Sequence, residues 1–137
     1  MNNIEQYKQH LEYNGYNVDR EIKDEDGYIL YSEQYGPLSA RGMGENGSLG
    51  IRLEKYYPIS LSKSSSEKEK LELHEMVNEI NRSLIMGTCY LFEDGGLMMS
   101  YPILGQYDKK NTSSILEGYH MDCQKMFDFN LGKYWDE

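Results

Sequence analysis

The stretch from residue 66 to residue 104 constrains the fold most, because it predicts a long helix followed directly by a β-hairpin. Between residues 67 and 85, apolar side chains recur mostly three or four residues apart, the spacing of a helix with one face against a core. Ser66 and Glu69 form a capping-box sequence, in which a hydroxyl and a carboxylate each satisfy a free backbone N–H. Gly87 follows as the predicted C-terminal stop of the helix.

The hairpin is predicted from two strand-like runs, residues 88–93 and 97–103. Asp94-Gly95-Gly96 joins them, and this turn sequence tolerates a positive φ. The rest of the chain predicts helices at 3–14 and 112–131 and strands at 18–23, 28–32 and 48–57. Residues 36–50 are rich in glycine and are predicted to form a flexible connection, with a short strand near 38–41.

The predicted order of elements is therefore α-β-β-β-α-β-β-α. This order indicates the α+β class, an antiparallel sheet with helices packed on one face. A length of 137 residues suits one domain, which we expect to span residues 1–137.

The charge of the chain restricts its partners. Its net charge is −9, which argues against nucleic acid as a partner, because binding phosphates requires a basic face. An acidic surface suits a basic protein partner instead.

The location is predicted from what the sequence lacks. The N-terminus has neither the basic start nor the apolar core of a signal peptide, and no run approaches the roughly 18 apolar residues of a membrane span. We therefore expect a cytoplasmic protein that does not interact with membranes. In that compartment Cys89 and Cys123 are expected to be reduced, packed thiols.

Two motifs resemble binding sites for a nucleotide or a metal. Residues 42–47 match G-x-G-x-x-G, but they lead into a strand rather than a helix, so a loop is favoured over a dinucleotide site. His74-Glu75 is followed by Asn78 where the zinc motif H-E-x-x-H needs a second histidine, so we interpret His74 as a helix-surface residue.

Two further patterns partly resemble a calcium site and a catalytic nucleophile. Asp24 and Asp26 fit part of a calcium-binding EF-hand loop, but Ile22 occupies the first ligand position, so an acidic hairpin turn is favoured. Cys89 has no histidine nearby in sequence, and no G-x-S-x-G nucleophile elbow occurs. The sequence therefore predicts no catalytic residues, no metal site, no cofactor and no enzyme activity.

Tyrosine is the most informative residue type, with 13 copies against three Phe and one Trp. If helices cover one face of the sheet, strand alternation sends some of these side chains to the other face. Tyr28, Tyr31, Tyr56 and Tyr101 are the candidate binding residues, because tyrosine combines an apolar body with a polar tip. The alternative is ordinary cross-strand packing with exposed hydroxyls.

The segments 73–81 (LHEMVNEIN) and 87–91 (GTCYL), followed by Asp94-Gly95, resemble the YbjN family. The short first helix, Gly15-Tyr16 and the acidic hairpin agree with this resemblance. It implies a fold similar to class I chaperones of type III secretion. It also implies a commonly dimeric protein that binds protein segments and performs no chemistry.

Asn78 and Asn81 lie three residues apart near the end of the central helix, just before a strand. A buried asparagine there can bond backbone groups of the adjoining hairpin. We therefore predict structural roles for Asn78 and Asn81, and for Gly87 as the end of the helix.

Three functional hypotheses follow. The first is a non-enzymatic chaperone-like or adaptor protein, a homodimer that binds a basic partner polypeptide through an acidic, Tyr-rich surface. The second is an acidic immunity or antitoxin-type inhibitor of a basic toxin. The third is a small enzyme or metal protein.

Overall fold

The computed structural model describes residues 2–22, 27–59, 66–92, 96–129 and 131–134. It confirms the α+β class and the predicted order of helices and strands, with an antiparallel sheet of six strands among the described residues. The helices are α1 (Asn3–Tyr13), α2 (Glu67–Ser83) and α3 (Lys109–Lys125). The strands are β1 (Asn17–Ile22), β2 (Gly27–Ser32), β3 (Gly36–Met43), β4 (Gly50–Tyr57), β5 (Thr88–Leu91) and β6 (Leu97–Leu104).

The strands lie in the order β1-β2-β3-β4-β6-β5, and every neighbouring pair is antiparallel. Strands β1 to β4 follow one another as hairpins, and α2 then leads to β5 at the far edge. One face of the sheet, the inner face, packs with α1, α2 and α3 into one hydrophobic core. The buried sheet residues of that core include Leu30, Leu38, Ala40, Ile51, Leu53, Leu97, Met99, Tyr101 and Ile103.

Residues 36–50 do not form the flexible connection that their glycines predicted. They form β3, which lies inside the sheet and is longer than the short strand expected near 38–41, and a 3-10 turn over Glu45–Gly47. Leu38 and Ala40 explain the strand, because their alternation buries both side chains in the core. The 3-10 turn is held from outside, since the Asn3 amide donates to the Gly47 carbonyl oxygen at 2.8 Å.

The first strand is more exposed than predicted. Alternation at residues 18–23 indicated a half-buried strand, but β1 lies at the edge of the sheet and five of its six residues are exposed. The pairing with β2 shifts register between Val18 and Arg20. A shift of this kind is a common feature of edge strands, because it discourages pairing with another chain. Lys23 and the turn at 24–26 lie outside the described residues.

The ends of the two long helices are set by side-chain caps. The predicted capping box at Ser66 is present, with bonds in both directions between Ser66 and Glu69. α3 begins three residues earlier than the predicted helix, because the Asp108 carboxylate accepts a hydrogen bond from the Asn111 N–H and caps the helix there. It ends at Lys125, well before residue 131, and continues into a 3-10 turn.

A buried carboxylate joins the main elements. Asp122 of α3 has no exposed surface. Its Oδ1 accepts a hydrogen bond from the Ile85 N–H at 2.7 Å. Its Oδ2 accepts from the Met86 and Gly87 N–H groups, both at 3.2 Å, and from the Tyr101 hydroxyl at 2.9 Å. Four donors therefore compensate the burial of this charge, and together they attach α3 to the α2–β5 connection and to β6.

The sequence predicted that Gly87 ends the central helix, and this prediction was wrong. α2 ends at Ser83, and Leu84 already has an extended backbone conformation. The structure gives Gly87 a different role, since a Cβ there would lie 2.3 Å from a ring carbon of Tyr101. The missing side chain lets the connection approach Tyr101 and donate to Asp122.

Gly87→Ala is expected to destabilise the fold by about 1–3 kcal/mol, the usual range for overpacking a buried site. Tyr101 cannot easily move aside, because it is buried and its hydroxyl is bonded to Asp122. The control is Gly118→Ala in α3, where the added Cβ meets the end of the flexible Met86 side chain. Thermal unfolding of both variants tests this, and equal losses would contradict the role assigned to Gly87.

His120 links α3 to two connections of the sheet. Its Nε2 lies 2.9 Å from the Tyr16 hydroxyl, in the α1–β1 connection. Its ring stacks on Tyr35, in the β2–β3 turn, with 3.8 Å between the ring centroids. Burial lowers the pKa of His120 to about 4, because the charged form loses its water in this packed site.

This histidine is expected to make the fold sensitive to acid. Between about pH 6.5 and about pH 4, the unfolded chain binds a proton at His120 and the folded chain does not. Its contribution to stability is therefore full above about pH 6.5 and is lost as the pH falls toward 4. His120→Phe should show a smaller drop in melting temperature between pH 7 and pH 4.5 than wild type. An unchanged drop would contradict this, and His74→Phe, at an exposed site, is the control.

Candidate functional site

The outer face of the sheet, opposite the helices, carries a line of apolar and aromatic side chains. The sheet register places Tyr31 beside Pro37, Tyr56 beside Met98, and Met98 beside Tyr90. The β3–β4 register, extended by two residues, places Pro37 beside Tyr56. We call these five residues the tyrosine row. They cross five neighbouring strands, so the row is roughly 19 Å long at the usual strand spacing.

The aromatic side chains of the tyrosine row are open to solvent. Tyr31 is 50% exposed, Tyr56 is 51% exposed and Tyr90 is 38% exposed. Tyr56 packs beside Gly96, where a Cβ would come within 2.4 Å of its ring. At the β5 end, the Tyr90 ring meets the exposed Phe92 ring edge to face, with 5.4 Å between centroids. The row therefore presents amphipathic rings in an ordered line.

The next line of side chains on the same face is mostly polar. It runs from Ile29 through Ser39, Glu54 and Ser100 to Thr88. Glu54 lies 3.0 Å from Nε of Arg41, in an ion pair across β3 and β4. A second arginine, Arg52, lies beside Arg41 and is exposed. The tyrosine row is thus bordered by polar and partly basic positions, and carboxylates do not dominate the described strands on this face.

Two of the four predicted binding tyrosines do not lie on this face. Tyr101 points into the core, is 1% exposed, and donates its hydroxyl to Asp122, so its inclusion in an exposed binding surface was wrong. Tyr28 also lies on the inner face and is half-buried, with the ammonium of Lys8 5.0 Å from its ring centroid. Strand alternation predicted that some tyrosines face the helices and others face outward, but only the strand register shows which tyrosine lies on which face.

Tyr31 and Tyr56 lie on the outer face as the binding hypothesis requires. Pro37, Met98 and Tyr90 complete the row and were not among the predicted site residues. The predicted turn at residues 94–96 would place Tyr90 opposite Ser100, whereas the observed register places it opposite Met98, so the sequence did not identify this neighbour.

Asn81 attaches the edge strand that carries Tyr90. Its side-chain Nδ2 donates to the Cys89 carbonyl oxygen at 2.8 Å, and its Oδ1 accepts from the Cys89 N–H at 2.7 Å. These are backbone bonds to the adjoining hairpin of the kind predicted. Asn78 and Asn81 are both exposed on α2, but the side-chain hydrogen bonds among the described residues involve Asn81 and not Asn78, so the structural role of Asn78 stays a prediction. The two positions differ because α2 presents only one of them to β5.

The residues of the motifs that resemble catalytic or metal sites do not come together into a site among the described residues. His74 is exposed on α2, and both cysteines are buried free thiols. Burial raises the pKa of Cys89 to about 12, which holds the sulfur in its unreactive protonated form. Among the described residues, no three His, Cys, Asp or Glu side chains group together to hold a metal ion. Asp24 and Asp26 lie outside the described residues.

Residues 42–47 do not have the strand-to-helix geometry of a dinucleotide site. They begin at the end of β3 and form a short 3-10 turn that leads to β4.

In the part of the chain that the structure describes, no helix is both long and apolar enough to cross a lipid bilayer.

Comparison with protein families matches residues 3–129 to the YbjN family, whose description is "Putative bacterial sensory transduction regulator". The match covers nearly the whole chain and confirms the resemblance seen at residues 73–81 and 87–91. The description is that of a regulator and not of an enzyme. Comparisons with curated proteins and with solved structures gave no match.

Asn81→Leu is expected to lower the free energy of unfolding by about 1–3 kcal/mol, because both backbone groups of Cys89 lose their partner. Asn78→Leu is the matched control and should stay within about 0.5 kcal/mol of wild type, since the side chain of Asn78 is exposed and makes neither of the bonds to Cys89. Denaturant unfolding of the two variants measures the difference. Equal stability of both variants would refute the structural role of Asn81.

Proposed function

This chain belongs to the YbjN family, and we propose that it is a non-enzymatic, chaperone-like or adaptor protein that binds a partner polypeptide through the tyrosine row. A regulator without chemistry of its own acts by binding, so its functional site is a binding surface. The observation that carries the proposal is the line of half-exposed tyrosines across the outer face of the sheet.

Tyrosine suits such a surface for a physical reason. Its ring buries a large apolar area on binding, while its hydroxyl keeps the free surface hydrated. Tyrosine also has few rotatable bonds, so ordering it against a partner costs little entropy. Tyr31 and Tyr56 lie on strands held on both sides by neighbours, which presents the rings from a rigid support.

The line of the row indicates the form of the bound segment. A partner segment about 19 Å long corresponds to about six residues in an extended conformation. Such a segment, lying across the strands, can place alternate apolar side chains between Tyr31, Tyr56 and Tyr90. The polar line beside the row, with Ser39, Glu54 and Ser100, is then available for hydrogen bonds at the rim.

We propose that the partner polypeptide is basic. We also propose that the protein is a cytoplasmic homodimer and that residues 1–137 act as one domain. The charge proposal depends on the net charge of −9, which attracts a basic polypeptide at long range. Next to the tyrosine row, the positive charges of Arg41 and Arg52 offset this attraction, so charge contributes little to the choice of partner there. Salt is therefore expected to slow association more than it weakens the formed complex.

The test compares two variants of the full chain as bait in a lysate of the native host. In the first, Tyr31→Ser, Tyr56→Ser and Tyr90→Ser together remove the aromatic rings from the tyrosine row. In the second, Tyr13→Ser changes a tyrosine of α1 that is also exposed but lies away from the sheet. Quantitative mass spectrometry should show a protein that wild type and the Tyr13 variant capture and that the triple variant loses by about tenfold or more.

Captured proteins that are identical for all three baits would contradict the role of the tyrosine row. Thermal unfolding of the triple variant provides the folding control, because the substituted side chains lie outside the core. Sedimentation of the purified protein tests the homodimer separately, and a single monomeric species at micromolar concentration would remove that part of the proposal.

A further inference from the structure

A cavity lies on the other side of the sheet, beyond the C-terminal end of α3. It is bounded by the β2–β3 turn, by the inner face of β4, and by the 3-10 turns that follow α3. Its volume is about 760 Å³, within the range of pockets that hold small organic ligands. The cavity exists because α3 ends at Lys125, so no described helix covers the inner face of β4 at that end.

The walls of the cavity are mainly apolar. Met126, Phe127, Phe129 and Leu131 line it on the side of α3, and Tyr57 lines it on the side of the sheet. Phe127 is 87% exposed, an unusual state for a phenylalanine at the mouth of a cavity. These side chains offer contact area to an apolar chain or ring.

One charged side chain lines this apolar space. Among the described lining residues, Lys55 is the only one with a formal charge. It lies on the inner face of β4 between Leu53, a core residue, and Tyr57, which packs against the core. Its ammonium donates to the Tyr35 carbonyl oxygen at 2.6 Å and to the Pro37 carbonyl oxygen at 3.3 Å. The ion pairs recorded among the described residues involve other side chains.

An ammonium group has three donors, and the two carbonyls use two of them. The ammonium also lies 5.7 Å from the centroid of the Tyr57 ring. Its remaining N–H is available to a ligand in the cavity, and none of the ion pairs among the described residues gives it a carboxylate partner. Burial also lowers the pKa of Lys55, because the charged form loses part of its water at this site. A carboxylate is the ligand group that compensates such a charge best, through a charge-assisted hydrogen bond.

We propose that this cavity binds a small amphiphilic carboxylate, with the carboxylate on the Lys55 ammonium and the apolar chain or ring against Met126, Phe127 and Phe129. The proposal is independent of the tyrosine row, because the two sites lie on opposite faces of the sheet. It assigns a ligand chemistry to the covered face and leaves the outer face to the partner polypeptide.

The first experiment compares three eight-carbon probes with different head groups: octanoate, 1-octanol and octylammonium. Calorimetric titration of the wild-type protein should give the order octanoate, octanol, octylammonium from tightest to weakest. Octanoate should bind about ten- to hundredfold more tightly than octanol, the usual worth of a charge-assisted bond. Binding that is equal for the three head groups, or strongest for octylammonium, would overturn the proposal.

Two variants assign the contacts. Lys55→Met keeps the length of the side chain and should abolish the preference for octanoate over octanol, whereas Lys110→Met, at an exposed lysine of α3, should keep it. Phe127→Ser should weaken the binding of octanoate and octanol alike. Because Phe127 is exposed, Phe127→Ser is expected to fold, and it therefore tests the site even if Lys55→Met does not fold. Unchanged affinity in Phe127→Ser would overturn the assigned cavity wall.

Methionine methyl resonances locate the bound probe. Met126 lines the cavity, and Met98 lies in the tyrosine row. Octanoate should shift the Met126 methyl signal and leave the Met98 signal in place. A shift confined to Met98 would overturn this proposal without affecting the test of the partner polypeptide.

A carboxylate with an apolar neighbour can come from a free acid or from the C-terminus of a polypeptide. Acetyl-Leu-Phe with a free carboxylate, and the same peptide with a C-terminal amide, separate these sources. Tighter binding of octanoate than of the free-carboxylate peptide indicates a free acid, and the reverse indicates a polypeptide C-terminus. Loss of binding on amidation supports the carboxylate contact, and equal affinity of the two peptides contradicts it.

Discussion

The buried carboxylate of Asp122 is the interaction on which the arrangement of this fold most depends. A carboxylate without water is costly unless each oxygen has donors, and here three backbone N–H groups and the Tyr101 hydroxyl provide them. Because the three N–H groups belong to residues 85–87, the carboxylate determines the path of the chain between α2 and β5. That path places β5 beside β6 at the edge of the sheet.

This path also connects the core to the proposed binding surface. Once β5 lies at the edge, its residues alternate between the two faces, so Cys89 enters the core and Tyr90 joins the tyrosine row. Asn81 strengthens the same attachment by bonding both backbone groups of Cys89. The outer surface is thus positioned by polar contacts on the covered side of the molecule.

The two faces of the sheet therefore have different capacities for binding. The outer face offers ordered tyrosine rings on rigid strands, which suits an extended polypeptide. In the described part of the chain, the helices pack on the inner face, and a cavity lined by Lys55 lies where α3 ends. A charged side chain is unusual on the face of a strand that packs against the core. The carbonyl oxygens of Tyr35 and Pro37 accept hydrogen bonds from the Lys55 ammonium, which explains how the fold tolerates it.

Sequence reasoning succeeded where a short-range pattern decides the structure. The capping box at Ser66 and the apolar stripe of α2 are local, so the start and the buried face of that helix were predictable. Reasoning failed where residues of one type have different neighbours. Asn78 and Asn81 look equivalent in sequence, and Tyr31 and Tyr101 both alternate in strands, yet in each pair only the contacts of the folded chain distinguish them.

The sequence by itself determined the α+β class, the order of the elements and the family, because periodicity, caps and short motifs act over a few residues. The tertiary structure alone decided that residues 36–50 supply a strand inside the sheet, that Gly87 makes room for Tyr101, and which tyrosines face outward. Each of these depends on strand register or on contact between distant segments. Such contacts are settled only when the whole core packs at once.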